Sequence, residues 1–473
     1  MIRHAPAPIW ALGSVLALLV AWVTMPFGSA EPGAATLVRA VVLAAAAVAL
    51  AVGARADLLA VRWPAAAALG LAGLGLLQAR SWPRAVVESL SPEHQRLDAA
   101  AGELLGGGVE RVALSLTPDL SRAVALNWLA VAGLLVASAA CGGYRAPRRL
   151  VAAVLVATAL FQILYGSRQL ALRSTDIWGR FAPGDHFRLR GTFVNSNHLA
   201  TYLEIALATL FAAAWWCWRR ARREESVERR LLLVGVPLVL WLGLLVALAF
   251  TGSRAGLLAC LAGTLVQTAL LARESGSRRP LLVGAGFVAA GLAAIAFVDL
   301  QEGFRRWMTP GSESGLGGRL VADRATFDLW RRFPVTGSGL GSYRESFPMV
   351  QPADLGGSWW HAHNDLLEML ATGGVVGLAI LLLGLGALVL RLDFALRRGA
   401  RSEDRAAGLA ALGALAVLGV HELFEFGLTL PGNWVPATVV CGMAVAVSVR
   451  ESRSPDAPRP RRSGPPAGDG SPG

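Results

Sequence analysis

The sequence contains no lysine, so all 44 of its basic residues are arginines. Charged residues of either sign are scarce, at 16%, whereas a soluble domain is typically about one quarter charged. With 54% hydrophobic residues over 473 positions, the composition excludes an ordinary soluble domain and indicates a polytopic membrane protein. The net charge of +12 therefore does not indicate nucleic-acid binding, because basic residues in a membrane protein mainly set its orientation.

Cysteine is also rare. The chain has four cysteines, and all of them lie in or at the ends of apolar segments: Cys141, Cys217, Cys260 and Cys441. None is in a long loop that a disulfide would cross-link, so the sequence does not predict a disulfide framework.

Long apolar runs, by contrast, are abundant. A membrane-spanning helix needs roughly 20 mostly apolar residues, and about twelve segments qualify. They lie near residues 9–27, 36–53, 63–79, 123–141, 149–166, 198–217, 231–250, 254–272, 281–299, 364–390, 406–427 and 431–449. The sequence therefore predicts an all-α integral membrane protein in which residues 1–449 form a single membrane domain.

The positions of the arginines predict the orientation of these segments. Short cytoplasmic loops of membrane proteins are enriched in basic residues. A cytoplasmic N-terminus places the short arginine-rich loops near 145–149, 219–230, 273–279 and 391–405 in the cytoplasm. Three longer segments then fall on the opposite, periplasmic side: 80–121, 167–197 and 300–363.

Both ends of the chain have distinctive compositions. Residues 450–473 are rich in Pro, Arg, Ser and Gly and are predicted to be a disordered cytoplasmic tail. At the other end, Met1 to Pro8, the apolar run that follows and the small residues up to Ala30 also match a cleaved secretory signal. Cleavage would remove one span and leave every later loop on the same side.

The segment 300–363 is too long to be a simple connector, and loops of this length are usually functional or disordered. Residues 318–330 have apolar and charged positions spaced as in an amphipathic helix. The glycine-rich run Gly337 to Gly341 follows. We interpret it as a turn that lets two backbones approach, because a nucleotide-binding glycine loop requires a preceding strand and a following helix.

Polar residues are concentrated at the start of a late apolar segment, from Trp359 to Glu368. Lipid-spanning sequence avoids such groups unless they have a function or a partner. A neutral imidazole is the natural general base near neutral pH, so His361 and His363 are both candidates. Asn364 and Glu368 share a helical face, and either would orient an imidazole. The structural alternative is a set of helix-capping residues beside an interfacial aromatic belt.

Four arginines on the predicted periplasmic side are candidate anion ligands, because a planar guanidinium suits phosphate oxygens. Arg188 and Arg190 belong to a second polar cluster that runs into an apolar segment. Arg254 occupies a short external turn, where a positive charge runs against the orientation rule. Arg319 lies in a loop with many other arginines, where a solvated surface charge is the alternative interpretation.

Further polar residues continue into the apolar segments. Asn197, Thr201 and Glu204 recur at helical spacing, so one polar stripe enters the membrane, where Glu204 needs a partner. A helix–helix polar contact is the structural alternative. We interpret His421 and Glu425 as an intramembrane polar contact near the outer surface.

The histidines do not predict a metal site. The zinc-protease motif requires a second histidine where Glu425 stands. His361 and His363 are not joined by a third ligand at recognisable spacing. We therefore predict that the protein binds no metal.

Several of these residues belong to short motifs that follow one another along the chain. The motifs are Arg190-Gly191-Thr192-Phe193 with Asn195 and Asn197, Gly252-Ser253-Arg254, Gly318-Arg319, Gly337-Ser338-Gly339, and His361-Ala362-His363-Asn364 with Glu368 and Gly374. In this order they resemble the O-antigen ligase and O-antigen polymerase family. The resemblance is densest over residues 186–385 and continues at His421, Phe426, Leu428 and Pro431.

The resemblance implies a GT-C-like helical scaffold in the bacterial inner membrane. It implies transfer of a glycan from an undecaprenyl-diphosphate carrier on the periplasmic face, with no metal, cofactor or nucleotide sugar. In this interpretation His363 is the base that activates the acceptor hydroxyl, and Arg190, Arg254 and Arg319 hold the diphosphate. The other expected substrate-binding residues are Arg188, Asn195, Asn197, Asn364 and Glu368.

The acceptor stays open. Leu366 stands where many relatives would have an aromatic residue such as tyrosine. A lipid A core, a second lipid-linked glycan and a protein hydroxyl are all consistent with the sequence, so it does not separate a ligase from a polymerase. Membrane lipid is a further expected partner, and nucleic acid is not.

Two other functional classes are considered. A transporter or flippase for lipid-linked glycans would concentrate ionisable groups near the middle of the bilayer and break helices there. Here the polar residues cluster at the outer ends of the segments, with Arg39 and Glu204 as the main exceptions, which favours an enzyme. A non-catalytic partner in polysaccharide assembly would not need His363 and the arginines.

Overall fold

The computed structural model describes residues 5–107, 110–182, 187–297, 316–399 and 401–448. Within these ranges the chain forms seventeen α-helices, four short 3-10 helices and two short strands. The helices are α1 (Ala7–Trp22), α2 (Pro32–Val52), α3 (Arg55–Ala60), α4 (Arg62–Ala79), α5 (Arg84–Leu90), α6 (Pro92–Leu105), α7 (Pro118–Gly142), α8 (Arg145–Leu172), α9 (Ser196–Ala221), α10 (Val227–Phe250), α11 (Arg254–Ser275), α12 (Arg279–Phe297), α13 (Leu316–Arg332), α14 (Tyr343–Ser346), α15 (Asp365–Arg398), α16 (Ser402–His421) and α17 (Pro431–Val445). The strands are β1 (Ser81–Pro83) and β2 (Arg111–Ala113). The predicted disordered tail, 450–473, lies outside the described residues, as does the first part of the segment 300–363.

Of the helices in the described ranges, eight are long and apolar enough to cross a membrane: α2, α7, α8, α9, α10, α11, α15 and α16. The other four apolar segments of the sequence are also helical, as α1, α4, α12 and α17. The all-α polytopic membrane architecture is confirmed. The number of spans and the GT-C-like arrangement stay predictions.

Polar residues fix where three of the long helices begin. Asn195, Ser253 and Asn364 each accept a hydrogen bond from a backbone N–H in the first turn of α9, α11 and α15, at 2.9, 3.1 and 3.2 Å. Such caps satisfy N–H groups that have no partner within the helix. The polar clusters of the sequence therefore define helix starts.

The two ends of the helix bundle differ in composition. We call the end that carries the starts of α9, α11 and α15 and the ends of α10 and α16 the site end. At the opposite end, Arg148 and Arg149 form ion pairs with Asp404 and Glu403, at 2.5 and 2.6 Å. The loops predicted to be cytoplasmic are thus held together at the end away from the polar clusters.

The chain from α13 to the start of α15 folds at the site end around a small hydrophobic core. Leu329 and Phe333, at the end of α13, pack with Tyr343 and Phe347. The predicted amphipathic helix over 318–330 is confirmed as α13. Two three-residue strands, which the sequence did not predict, pair antiparallel in the segment between α4 and α7.

The glycine-rich turn after α13 packs directly on the backbone of α15. Gly337, Gly339 and Gly341 have φ values of 74°, 115° and 86°, which L side chains rarely adopt. A Cβ atom on Gly337 would overlap the backbone of Thr372. Gly374, with φ of 65°, breaks α15 at the same contact. The prediction that this turn allows two backbones to approach is confirmed.

Candidate active site

Glu425 is the centre of the polar cluster at the site end. One of its oxygens, Oε1, accepts hydrogen bonds from Asn197 Nδ2 at 2.5 Å and from an Arg319 terminal nitrogen at 2.6 Å. The other, Oε2, lies 3.1 Å from Nδ1 of His363. The side chain of Glu425 is only 1% exposed. One buried carboxylate thus joins α9, α13 and the loop before α15.

The environment of Glu425 favours its ionised form. Burial by itself would raise the pKa of this carboxyl. The hydrogen bond with His363 and the positive charge of Arg319 outweigh burial and lower the pKa of Glu425 to about 2. A permanently charged acceptor therefore faces Nδ1 of His363.

His363 is held by backbone and side-chain contacts. Its φ of 54° is uncommon for a residue other than glycine and is often found at functional sites. The imidazole makes edge contacts with the rings of Trp359 and Phe426, at centroid distances of 5.9 and 4.8 Å. The side chain keeps 27% of its surface exposed. With Nδ1–H donating to Glu425, Nε2 carries the lone pair that can accept a proton.

His361 has a different set of contacts. Its Nδ1 lies 3.0 Å from Oε1 of Glu368, and the ring stacks on Phe426 at a centroid distance of 4.4 Å. Glu368 also accepts a hydrogen bond from the backbone N–H of Ala362 at 2.9 Å. Glu368 therefore orients His361 and the loop, whereas the sequence left open whether it orients His363. That role belongs to Glu425, and Asn364 caps α15.

Arg319 and Arg188 approach the cluster from two directions. Arg319 donates to the carbonyl oxygen of Phe424 at 2.7 Å in addition to Glu425. Arg188 donates to Asn197 Oδ1 and to the carbonyl oxygen of Thr251, each at 2.6 Å. Asn197 thereby bridges Arg188 and Glu425. The structure brings the predicted residues Arg188, Asn197 and Arg319 into one hydrogen-bond network.

Arg254 lies beside this network at the exposed first position of α11. The turn before it, from Thr251 to Ser253, is the one that Arg188 contacts. Gly252 in this turn has φ of 65°, and a Cβ atom there would be 2.9 Å from Nε of Arg188. The turn therefore needs glycine to bring Arg188 close, and it carries the guanidinium of Arg254 on its exposed side.

Arg190 and Asn195 serve the loop before α9. Arg190 is 2% exposed, and its guanidinium donates to the carbonyl oxygens of Ala182 and Val194 at 3.3 and 3.4 Å. Asn195 caps α9 through the N–H of Asn197. The structure places these two predicted ligands in backbone contacts of the loop.

The polar stripe along α9 ends in a buried contact between a carboxyl and an imidazole. Glu204 and His421 are fully buried, and His421 Nδ1 lies 2.7 Å from Glu204 Oε1. The partner that the sequence required for Glu204 is thus found. The predicted contact between His421 and Glu425 is wrong, because Glu425 turns toward His363 and Arg319 while His421 turns toward α9. Glu425 is therefore a candidate site residue that the sequence did not assign to the site, because its partners lie in distant segments.

Within the described residues, no group of three or more His, Cys, Asp or Glu side chains is arranged to hold a metal ion. The four cysteines form no disulfide.

The fold and the site define a helical membrane protein with a histidine–carboxylate pair and several arginines at one end of its bundle. The family model described as O-antigen ligase matches residues 238–382 of the chain. The match includes Arg254, Arg319 and His363. The resemblance to the O-antigen ligase and polymerase family is thereby confirmed, and residues 238–382 are the part of the chain that is similar to the O-antigen ligase domain. A search of curated proteins found no significant match to the chain.

Proposed function

We propose that this protein transfers a glycan from an undecaprenyl-diphosphate carrier to an acceptor hydroxyl on the periplasmic face of the bacterial inner membrane. The observation that carries the proposal is the placement of His363 and Arg319 on the two oxygens of one buried carboxylate, Glu425. A base and a cation are thereby fixed beside each other within the domain that matches the O-antigen ligases.

His363 is the proposed general base. Nε2 accepts the proton of the acceptor hydroxyl while the oxygen attacks the anomeric carbon of the glycan. Glu425 holds Nδ1 and stabilises the imidazolium that forms, as the carboxylate does in other histidine–carboxylate pairs. The proton that leaves the acceptor resides on His363 until solvent or the departing phosphate takes it.

The arginines are the proposed diphosphate ligands. As the bond between the anomeric carbon and the phosphate oxygen breaks, its electron pair moves onto the diphosphate. Guanidinium groups already in place stabilise this charge without a metal ion. Arg319 and Arg254 contact the diphosphate in this scheme, and Arg188 supports them through Asn197. Arg190 completes the set by holding the loop that carries Arg188.

Asn195, Asn364 and Glu368 act on the substrate indirectly, by holding the parts of the chain that surround the site. The two asparagines cap α9 and α15, and Glu368 holds His361. Their proposed contribution is to fix the surfaces that line the substrate site. The acceptor is a lipid A core, a second lipid-linked glycan or a protein hydroxyl, and ligase and polymerase activities both fit the geometry.

A transporter for the same lipid-linked glycan is the second candidate, and the buried pair Glu204–His421 is the observation that favours it. Transport sites lie near the middle of the bilayer. His421, however, is the last residue of α16, at the site end. The pair therefore fits a structural support beneath the site better than a transport site.

The test uses the purified protein in liposomes with a lipid-linked glycan and each acceptor class in turn. Transfer predicts a covalent glycan–acceptor product and free undecaprenyl diphosphate in equal amounts. His363→Ala is expected to bind the donor and form no product. Movement of intact donor across the bilayer, with no product from any acceptor, would contradict the enzymatic proposal and support the transporter.

A further inference from the structure

The ends of α15 and α16 meet next to the site, at Asp365 and Glu422. Asp365 is the first residue of α15, and Glu422 follows the last residue of α16. The backbone N–H of Asp365 donates to the carbonyl oxygen of Glu422 at 2.8 Å. His363 lies two residues before this junction and Glu425 three residues after it. The junction therefore sets the position of the base relative to the carboxylate that orients it.

The side chains at this junction are two carboxyls in contact. Glu422 is 5% exposed, and among the described residues neither of its oxygens accepts a hydrogen bond of good geometry, although the backbone N–H of Gly427 faces the carboxyl. The neighbour that it meets is the carboxyl of Asp365. Two adjacent carboxylates, one of them buried and the other half-buried, repel each other strongly when both are ionised. A single proton between them removes the repulsion and supplies the missing donor.

The charges around the junction favour retention of that proton. Burial raises the pKa of Glu422. The negative charge of Glu425 acts in the same direction on the pKa of Glu422. A positive charge on His421 would lower the pKa of Glu422, but His421 is itself paired with Glu204 of α9. The positive charge of Arg319, from α13, is directed at Glu425.

We propose that Asp365 and Glu422 share one proton and that the resulting O–H···O hydrogen bond is a clamp that keeps His363 in register with Glu425. Both residues are positioning residues, because they act on the substrate only through His363 and Glu425. Gly427 is part of the clamp, since a Cβ atom there would come within 2.8 Å of Glu422 Oε1. As pH rises, loss of the shared proton leaves two adjacent carboxylates, the helix ends separate, and the base loses its orientation.

This inference rests on the proposed function for its kinetic consequence but not for its structural one. Two substitutions of Glu422 distinguish a requirement for the hydrogen bond from a requirement for the negative charge of the carboxylate. In Glu422→Gln the amide N–H donates to Asp365 and cannot be titrated. In Glu422→Ala no group is left to make the contact. Glu345→Gln, at an exposed carboxyl of α14, is the matched control.

The experiment measures kcat and thermal unfolding of the full-length protein as functions of pH. We expect Glu422→Gln to keep kcat within about threefold of wild type at neutral pH and to lose less activity than wild type as pH rises. Glu422→Ala should lower kcat by about tenfold or more at every pH while changing the donor KM by less than about threefold. In unfolding, wild type should lose thermal stability with rising pH to a greater extent than Glu422→Gln.

Two results would overturn the clamp. One is an equal loss of kcat in Glu422→Gln and Glu422→Ala, which would mean that the ionised carboxylate is required. The other is a pH dependence of unfolding that is identical in Glu422→Gln, in wild type and in Glu345→Gln. If wild type itself transfers no glycan, the proposed function fails, and the unfolding series still decides whether the proton is shared.

Discussion

Nδ1 of His363 lies 3.1 Å from Oε2 of Glu425, a carboxylate that is almost completely buried. The opposite oxygen of the same carboxylate binds Arg319 at 2.6 Å. The proposed base and one proposed diphosphate ligand are therefore positioned by one group, and a change in that group affects both.

Glu425→Gln is expected to lower kcat for glycan transfer by about 100-fold or more, because a neutral amide neither selects the tautomer with a free Nε2 nor stabilises the imidazolium. Steady-state kinetics with saturating donor and acceptor check this. The exposed Glu345→Gln serves as the control and should retain wild-type kcat. A Glu425→Gln enzyme within about threefold of wild type would mean that His363 does not depend on Glu425.

Glu425 also predicts a pH dependence of stability. Its pKa is about 2 in the folded protein, below the ordinary value of 4.5. A depressed pKa means that the carboxylate stabilises the fold above about pH 4.5 and that this contribution disappears as pH falls toward about 2. Thermal unfolding in detergent should therefore show a steeper loss between these pH values in wild type than in Glu425→Gln. Parallel curves for the two proteins would contradict the assigned environment.

Arg254→Lys tests the diphosphate role of the exposed cation at the start of α11. An ammonium group keeps the charge but cannot reproduce the two-pronged contact of a guanidinium with phosphate oxygens. We expect kcat/KM for the donor to fall by about tenfold or more. Arg278→Lys, at an exposed position near the opposite end of the bundle, is the control. Equal kinetics in both variants would show that Arg254 is not a ligand.

The buried pair Glu204–His421 predicts a non-additive effect on stability. Glu204→Ala alone leaves His421 buried without its carboxylate, which typically costs about 3–5 kcal/mol. The double variant Glu204→Ala/His421→Ala removes both groups and should unfold at a higher temperature than Glu204→Ala. If the two single effects simply add, the residues do not form a coupled pair.

Gly337→Ala is expected to destabilise the protein by several kcal/mol, because it combines a positive φ with a Cβ that overlaps the backbone of Thr372. Gly73→Ala is the matched control in α4, where a Cβ meets no atom within 4 Å. It should be neutral or stabilising, because alanine favours a helix interior. Similar unfolding temperatures for the two variants would contradict the close approach of the turn to α15.

Much of the helical architecture follows from the sequence, because the length of an apolar segment is a direct consequence of the lipid environment. The helix over 318–330 and the turn at Gly337 were also predicted, since both depend on local patterns. The strands β1 and β2 were missed, because three-residue strands carry too little periodicity to be recognised.

The site was predicted in part. Ordered motifs predict roles for His363 and Arg319, and the structure brings both onto one carboxylate, but the partner of each depends on tertiary contacts between distant segments. Spacing on one helix linked His421 to Glu425, whereas the loop after α16 turns Glu425 away toward His363. The contact between Asp365 and Glu422 likewise forms only when the start of α15 meets the end of α16.

The central claim is that His363, and not its neighbour His361, is the base. The most direct test compares initial rates of glycan transfer for His363→Ala and His361→Ala at equal amounts of folded, donor-binding protein. We predict that His363→Ala lowers the rate by about 1,000-fold or more, in keeping with the loss of a general base and its orienting pair, and that His361→Ala retains a rate at least about tenfold higher than His363→Ala. A His363→Ala protein that transfers glycan as fast as wild type, or as fast as His361→Ala, would contradict the account.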